Sequence, residues 1–154
     1  MTIEDDISFF ERVPTLSTLG RQALRILAIG AETRYIHGGE VLFNVGDEAD
    51  GAFVVQEGRF ALSADASTDG RAVTVGPGTL LGEVALFTET RRPVTATALE
   101  PSTVLRIPRP LFIKMLDSFP DAAHKLREIL AGRLDQSTRE ITNVRAVLDA
   151  RDRK

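Results

Sequence analysis

The chain has 154 residues, 43% apolar and 27% charged, with no cysteine, no tryptophan, two histidines and a formal net charge of -3. At this length a folded chain hides roughly 68–70% of the surface its unfolded form exposes, so a core can form without disulfides or a structural metal. The missing cysteines exclude a thiol nucleophile, a redox dithiol, an iron–sulfur cluster and a cysteine-rich zinc site, and the overall acidity argues against a nucleic-acid coat.

The first ten residues, MTIEDDISFF, are acidic and lack the basic and apolar regions of a signal peptide. No apolar run approaches the ~20 residues of a membrane span, so a cytoplasmic protein without membrane contact is expected. Ile7 and Phe10, then Leu16, Leu19, Leu24, Ile26, Leu27 and Ile29, fall at helical spacing, with Pro14 between the two pieces and Gly30 as a stop. Two short helices are expected within residues 1–31. His37 and His124 stand too far apart for a helical metal pair and are expected as ordinary surface or loop residues.

Nine of the twelve glycines then fall between Gly38 and Gly82, and none lies between Gly82 and Gly132. Glycines every several residues among Val, Phe, Leu and Thr predict short strands joined by tight turns. The candidates are residues 32–36, 41–44, 52–56, 59–64, 72–75, 95–99 and 103–107. Strands this short suit a small antiparallel barrel or roll.

After Pro108, Leu111, Phe112, Met115 and Leu116 predict one helix, and Pro120 separates it from a longer pattern over about 121–152. In that stretch Leu134, Ile141 and Leu148 recur every seven residues, with Leu130, Ser137 and Val144 between them. This is a short heptad seam, available either to the chain's own core or to a second copy. Gly132 inside it costs about 1 kcal/mol relative to Ala, and Ser137 and Arg151 weaken it further.

The chemistry is concentrated in LGEVALFTETRRPVTATA, residues 81–98. A glycine precedes a short apolar helical turn, and the chain returns through Arg91 and Arg92 into a Thr/Ala strand. Free N–H groups at a helix start, close approach at Gly82 and a guanidinium fork at Arg92 make a cradle for one phosphate. Glu83 fits a ligand that carries a hydroxyl beside a singly charged phosphodiester, because a carboxylate accepts from the hydroxyl and repels a polyphosphate more strongly. Singly, each residue has an ordinary use: Gly82 in a turn, Glu83 as a cap, Arg92 paired with Glu83 or Glu89.

Together with LFNVGDEADGAFVVQEG at residues 42–58, this segment resembles the cyclic nucleotide-binding domain, the module of catabolite activator proteins, protein kinase A regulatory subunits and cyclic nucleotide-gated channels. The resemblance covers nearly the whole chain. It implies a mainly β fold with flanking helices (α+β): a small antiparallel β-roll, a jelly-roll-like double-stranded β-helix, in one stand-alone domain. N-terminal helices would occupy 1–31, the roll 32–107 with its phosphate-binding cassette at 81–98, and two C-terminal helices 108–154.

By the same resemblance Glu83 accepts from the ribose 2′-hydroxyl and Arg92 holds the cyclic phosphate. Gly82 and Val84 belong to the cassette, and Ala85 offers a backbone N–H to the phosphate. Leu62, Val75 and Leu81 line the base pocket, with Thr95 near it. Pro93 departs from the family pattern of Ala, Ser or Thr after the arginine. It removes a backbone donor, which at ~1.5–3 kcal/mol for a charged hydrogen bond lowers affinity roughly ten- to over a hundredfold unless compensated. It also removes the hydroxyl that family members use toward guanine, which favours cAMP over cGMP as ligand.

The ligand is expected to be exchangeable, with no prosthetic group. From Asp121 to Lys154 eight Lys and Arg face six Asp and Glu, +2 against -5 for the first 120 residues, so neither part is a DNA patch. Neither a DNA-binding helix-turn-helix nor a catalytic constellation is expected. The expectation is a non-enzymatic sensor acting through its C-terminal helices on an effector protein or, as a homodimer, on a second copy. The alternative is a degenerate domain that binds no nucleotide and serves as a protein interaction module.

Overall fold

The computed structural model describes residues 2–64 and 73–136, the last eight of them by backbone alone. Helix α1, Ile3–Phe10, starts in a capping box: Thr2 Oγ1 accepts from the Asp5 N–H at 3.2 Å, and Asp5 Oδ2 accepts from the Thr2 N–H at 3.1 Å. Ile7 and Phe10 are its buried face. Helix α2, Arg21–Gly30, buries Leu24 and Leu27. It begins later than the apolar spacing predicted, because residues 11–20 form turns that nevertheless bury Val13, Leu16 and Leu19.

Among the described residues ten strands follow: β1 Glu32–Ile36, β2 Val41–Phe43, β3 Glu48–Ala49, β4 Gly51–Glu57, β5 Phe60–Ser63, β6 Val73–Val75, β7 Leu80–Leu81, β8 Thr90–Arg91, β9 Thr95–Ala98 and β10 Ser102–Pro108. All seven predicted strands are present within a residue or two at each end. One four-stranded sheet has the order β1-β10-β4-β7, a second β2-β9-β5-β6, and β3 pairs with β8; every pairing is antiparallel. The mainly β roll with flanking helices is therefore the observed fold.

Strands β4 and β10 are buried on both faces and divide the interior. Phe53, Val55 and Val104 join Ile36, Phe43, Phe60, Leu81, Ala96 and Ala98 between the two sheets. Ala52, Val54, Leu105 and Ile107 point the other way, into a core shared with the helices. The alternation is the period-2 geometry of a strand used twice. Helix α3, Arg109–Ser118, contributes Phe112 and Met115 to the helical core, and α4, Pro120–Gln136, contributes Ala122 and Leu126. The seam positions Ser137, Ile141, Val144, Leu148 and Arg151, and the side chains of Leu130 and Leu134, lie outside the described residues. Among the described residues no helix is long and apolar enough to cross a membrane.

Candidate functional site

Strand β7 ends at Leu81, and Gly82 turns the chain with φ +82° into a 3₁₀ helix, Glu83–Leu86. Glycine is favoured twice over, since L side chains rarely adopt a left-handed φ and a Cβ here would collide with Arg92 Nη1. Leu86 anchors the 3₁₀ helix in the helical core, Ala85 is fully buried, and Val84 is exposed. The Ala85 N–H, expected to face a phosphate, donates to Gly82 O at 3.0 Å.

Arg92 follows β8, and its backbone is pinned to the turn between β2 and β3. Its N–H donates to Asp47 O and its carbonyl accepts from the Gly46 N–H, both at 2.8 Å. The side chain is only 4% exposed. Its guanidinium lies 4.5 Å from the Phe43 ring centre and 5.4 Å from that of Phe53, two rings stacked at 5.9 Å. Among the described residues Arg92 Nη1 has no hydrogen-bond partner. Burial lowers its pKa; Asp50 opposes that shift, Arg106 adds to it, Asp47 opposes and Arg109 adds. Arg91 is exposed and donates to Gly46 O at 3.0 Å, which is the opposite-face placement the extended chain requires.

Glu83 is half-buried, and its Oε2 accepts from Thr15 Oγ1 at 3.0 Å across 68 residues of sequence. Thr95 Oγ1 accepts from the Val45 N–H at 2.8 Å, so this hydroxyl ties β9 to the β2–β3 turn. Leu62 and Val75 pack against the inter-sheet core that contains Leu81, and Val94 joins them. These apolar side chains come from β5, β6, β7 and the bend before β9. Pro93 and Val94 form a bend between Arg92 and β9.

Four contributors were not foreseen: Thr15, the aromatic pair Phe43 and Phe53 beneath Arg92, and Arg109. The last, at the start of α3, donates Nε to Ala85 O at 2.8 Å and Nη2 to Ala49 O. Phe87 meets Phe112 of α3 edge to face at 5.4 Å, a second link between the 3₁₀ helix and α3. The motif at 42–58 contained both phenylalanines; no sequence signal pointed to Thr15. His37 and His124 are exposed, and among the described residues no cluster of three or more His, Cys, Asp or Glu is placed to hold a metal. The arrangement presents a buried cation and a carboxylate on either side of the Gly82 turn, beside an apolar wall, and is suited to holding an anion that also carries a hydroxyl.

Comparison with known proteins supports the fold. A solved structure of a cyclic nucleotide-binding-like protein from Brucella abortus bv. 1 str. 9-941 is 34% identical, with TM-score 0.66 over 73% of this chain and 98% of that one. The N-terminal domain of a transcriptional regulator from Streptomyces coelicolor A3(2) is 29% identical, with TM-score 0.77 over 86% of this chain and 94% of that one. The lysophospholipase NTE1 of Chaetomium globosum is 32% identical over 101 residues, 64% of this chain but 7% of that protein. The chain spans only 7–9% of the length of the fungal lysophospholipases it matches. The family model described as the cyclic nucleotide-binding domain, a regulatory and not a catalytic module, matches residues 33–119. With more than half of its residues matched and the roll, cassette turn and flanking helices in place, the chain belongs to the cyclic nucleotide-binding domain family.

Proposed function

We propose that this chain binds a cyclic nucleoside monophosphate, cAMP in preference to cGMP, between Glu83 and Arg92. The observation that carries this reading is the buried Arg92 guanidinium, whose Nη1 has no acceptor among the described residues and lies against the Gly82 turn. A buried donor left without a partner costs about 1–3 kcal/mol, more for a charged group, and a singly charged diester oxygen removes that cost. Glu83 then accepts from the ribose 2′-hydroxyl, while Leu62, Val75, Leu81 and Val94 supply an apolar surface for the base. The preference for adenine rests on Pro93, which offers no hydroxyl beside the arginine.

The output is regulatory. Arg109 and the Phe87–Phe112 contact tie the cassette to α3, so a ligand that favours one cassette arrangement also biases α3 and α4. The chain acts as one non-enzymatic domain in the cytoplasm, and an effector protein or a second copy reads the helices; nucleic acid and membrane are not partners.

Calorimetric titration with cAMP and cGMP tests the reading, with Arg92→Ala as control. The expected result is saturable binding, tighter for cAMP, weakened about a hundredfold or more by the substitution, because removing one partner of a buried ion pair costs about 3–5 kcal/mol. No heat and no thermal shift at millimolar nucleotide would overturn it and leave an interaction module with the family's fold.

A further inference from the structure

We infer that Thr15 is a positioning residue of the nucleotide site: its hydroxyl orients the Glu83 carboxylate toward the ribose 2′-hydroxyl. The inference rests on the cyclic nucleotide reading given above and adds to it a residue from outside both sequence motifs.

Thr15 lies in the turns between α1 and α2, yet its side chain is buried, with 4% of its surface exposed. Its neighbours hold it there. Val13 and Leu16 are sealed in the helical core, and the backbone between them is closed by Leu16 N–H to Val13 O at 2.9 Å and Ser17 N–H to Val13 O at 2.8 Å. Leu86, three residues after Glu83, enters the same core. The Thr15 turn and the 3₁₀ helix are thus two parts of one packed layer, and the 3.0 Å bond from Thr15 Oγ1 to Glu83 Oε2 spans them.

A glutamate has three rotatable bonds, and ordering it on ligand binding lowers affinity unless it is ordered beforehand. A carboxylate accepts several hydrogen bonds, so a bond from Thr15 fixes the side chain without exhausting its capacity for a ligand hydroxyl. A hydroxyl also donates to the carboxylate without neutralising it, so the group keeps the charge that makes it a strong acceptor. Valine has nearly the shape of threonine and lacks only the donor.

The test is a two-ligand comparison. Dissociation constants for cAMP and 2′-deoxy-cAMP are measured by calorimetry on the whole chain as wild type, Thr15→Val and Thr15→Ser, with melting curves recorded for each. The wild type is expected to prefer cAMP over the deoxy analogue. Thr15→Val is expected to reduce that preference roughly five- to tenfold, the worth of one ordinary net hydrogen bond, with little change for 2′-deoxy-cAMP. Thr15→Ser is expected to keep the preference.

Equal weakening of both ligands by Thr15→Val would assign the residue a packing role and overturn the inference, as would an unchanged preference. If Thr15→Val fails to fold, Thr15→Ser decides: loss of the preference in a folded serine variant would overturn the inference. A wild type that binds neither nucleotide overturns the functional reading itself, an outcome separate from a wild type that binds both with an unaltered preference in Thr15→Val.

Discussion

Pro93 occupies the one cassette position where the backbone withholds a donor, and its surroundings make that loss measurable. Arg92, the residue before it, is pinned by hydrogen bonds to Asp47 O and from the Gly46 N–H, so a substitution here adds an N–H to a backbone already held in place. Pro93→Ala is therefore expected to tighten nucleotide binding roughly tenfold to over a hundredfold, from the ~1.5–3 kcal/mol of a hydrogen bond to a charged acceptor. Calorimetry checks it; unchanged affinity would mean that the new N–H does not reach the phosphate. At this scale the sequence revealed residue types but not hydrogen-bond assignments. Glu83 and Arg92 stood out in the sequence because an acid and a base follow a glycine within one short segment. Thr15 was not legible, since a contact 68 residues away leaves no local pattern. The hydrogen bond of the Ala85 N–H to Gly82 O was not legible either, for a geometric reason. In an α-helix the third N–H is free, whereas the 3₁₀ pattern closes on i−3 and occupies it with Gly82 O.

Among the elements, the short 3₁₀ helix depends most on outside support, and Arg109 provides it from α3. Its Nε and Nη2 reach Ala85 O and Ala49 O, so one side chain joins the cassette, β3 and the first turn of α3. Arg109→Met keeps much of the stem and removes both donors. It is expected to lower stability by about 1–3 kcal/mol, because carbonyls that were hydrogen-bonded inside the protein lose their partner. Urea denaturation followed by circular dichroism measures this, and a change within a few tenths of a kcal/mol would mean that water or a neighbouring donor replaces the guanidinium. The longer elements were readable because glycine-bounded apolar runs and proline breaks carry period and length. Strands β3, β7 and β8 have two residues each, too few for any period to show, and they exist because neighbouring strands pair with them. The start of α2 was misplaced because Leu16 and Leu19 are buried as a helical face would be, but by turns.

Across the whole molecule, the uneven distribution of glycine already marked out a roll between helical flanks, while the sharing of β4 and β10 between two cores could not be read from it. That sharing follows from burial on both faces of the strands: Phe53 and Val55 face the inter-sheet core beside the site, Ala52 and Val54 the helical core. Neither core can lose its packing without exposing the other face of the same strands, so the two are expected to unfold together. A ligand bound only by the folded state then stabilises the helices as much as the roll. At a free concentration a hundred times its dissociation constant it adds about 2.7 kcal/mol. For a chain near 150 residues each kcal/mol raises Tm by about 2–4 °C, so saturating cAMP should raise Tm by roughly 5–11 °C in one transition. Calorimetric melting with and without nucleotide reads both the shift and its cooperativity. Arg92→Ala, weakened a hundredfold or more, should cut the shift to about 1–2 °C or less at the same concentration. Two separated transitions, with only one moved by ligand, would show that the helical core melts independently and that the shared strands do not couple it to the site.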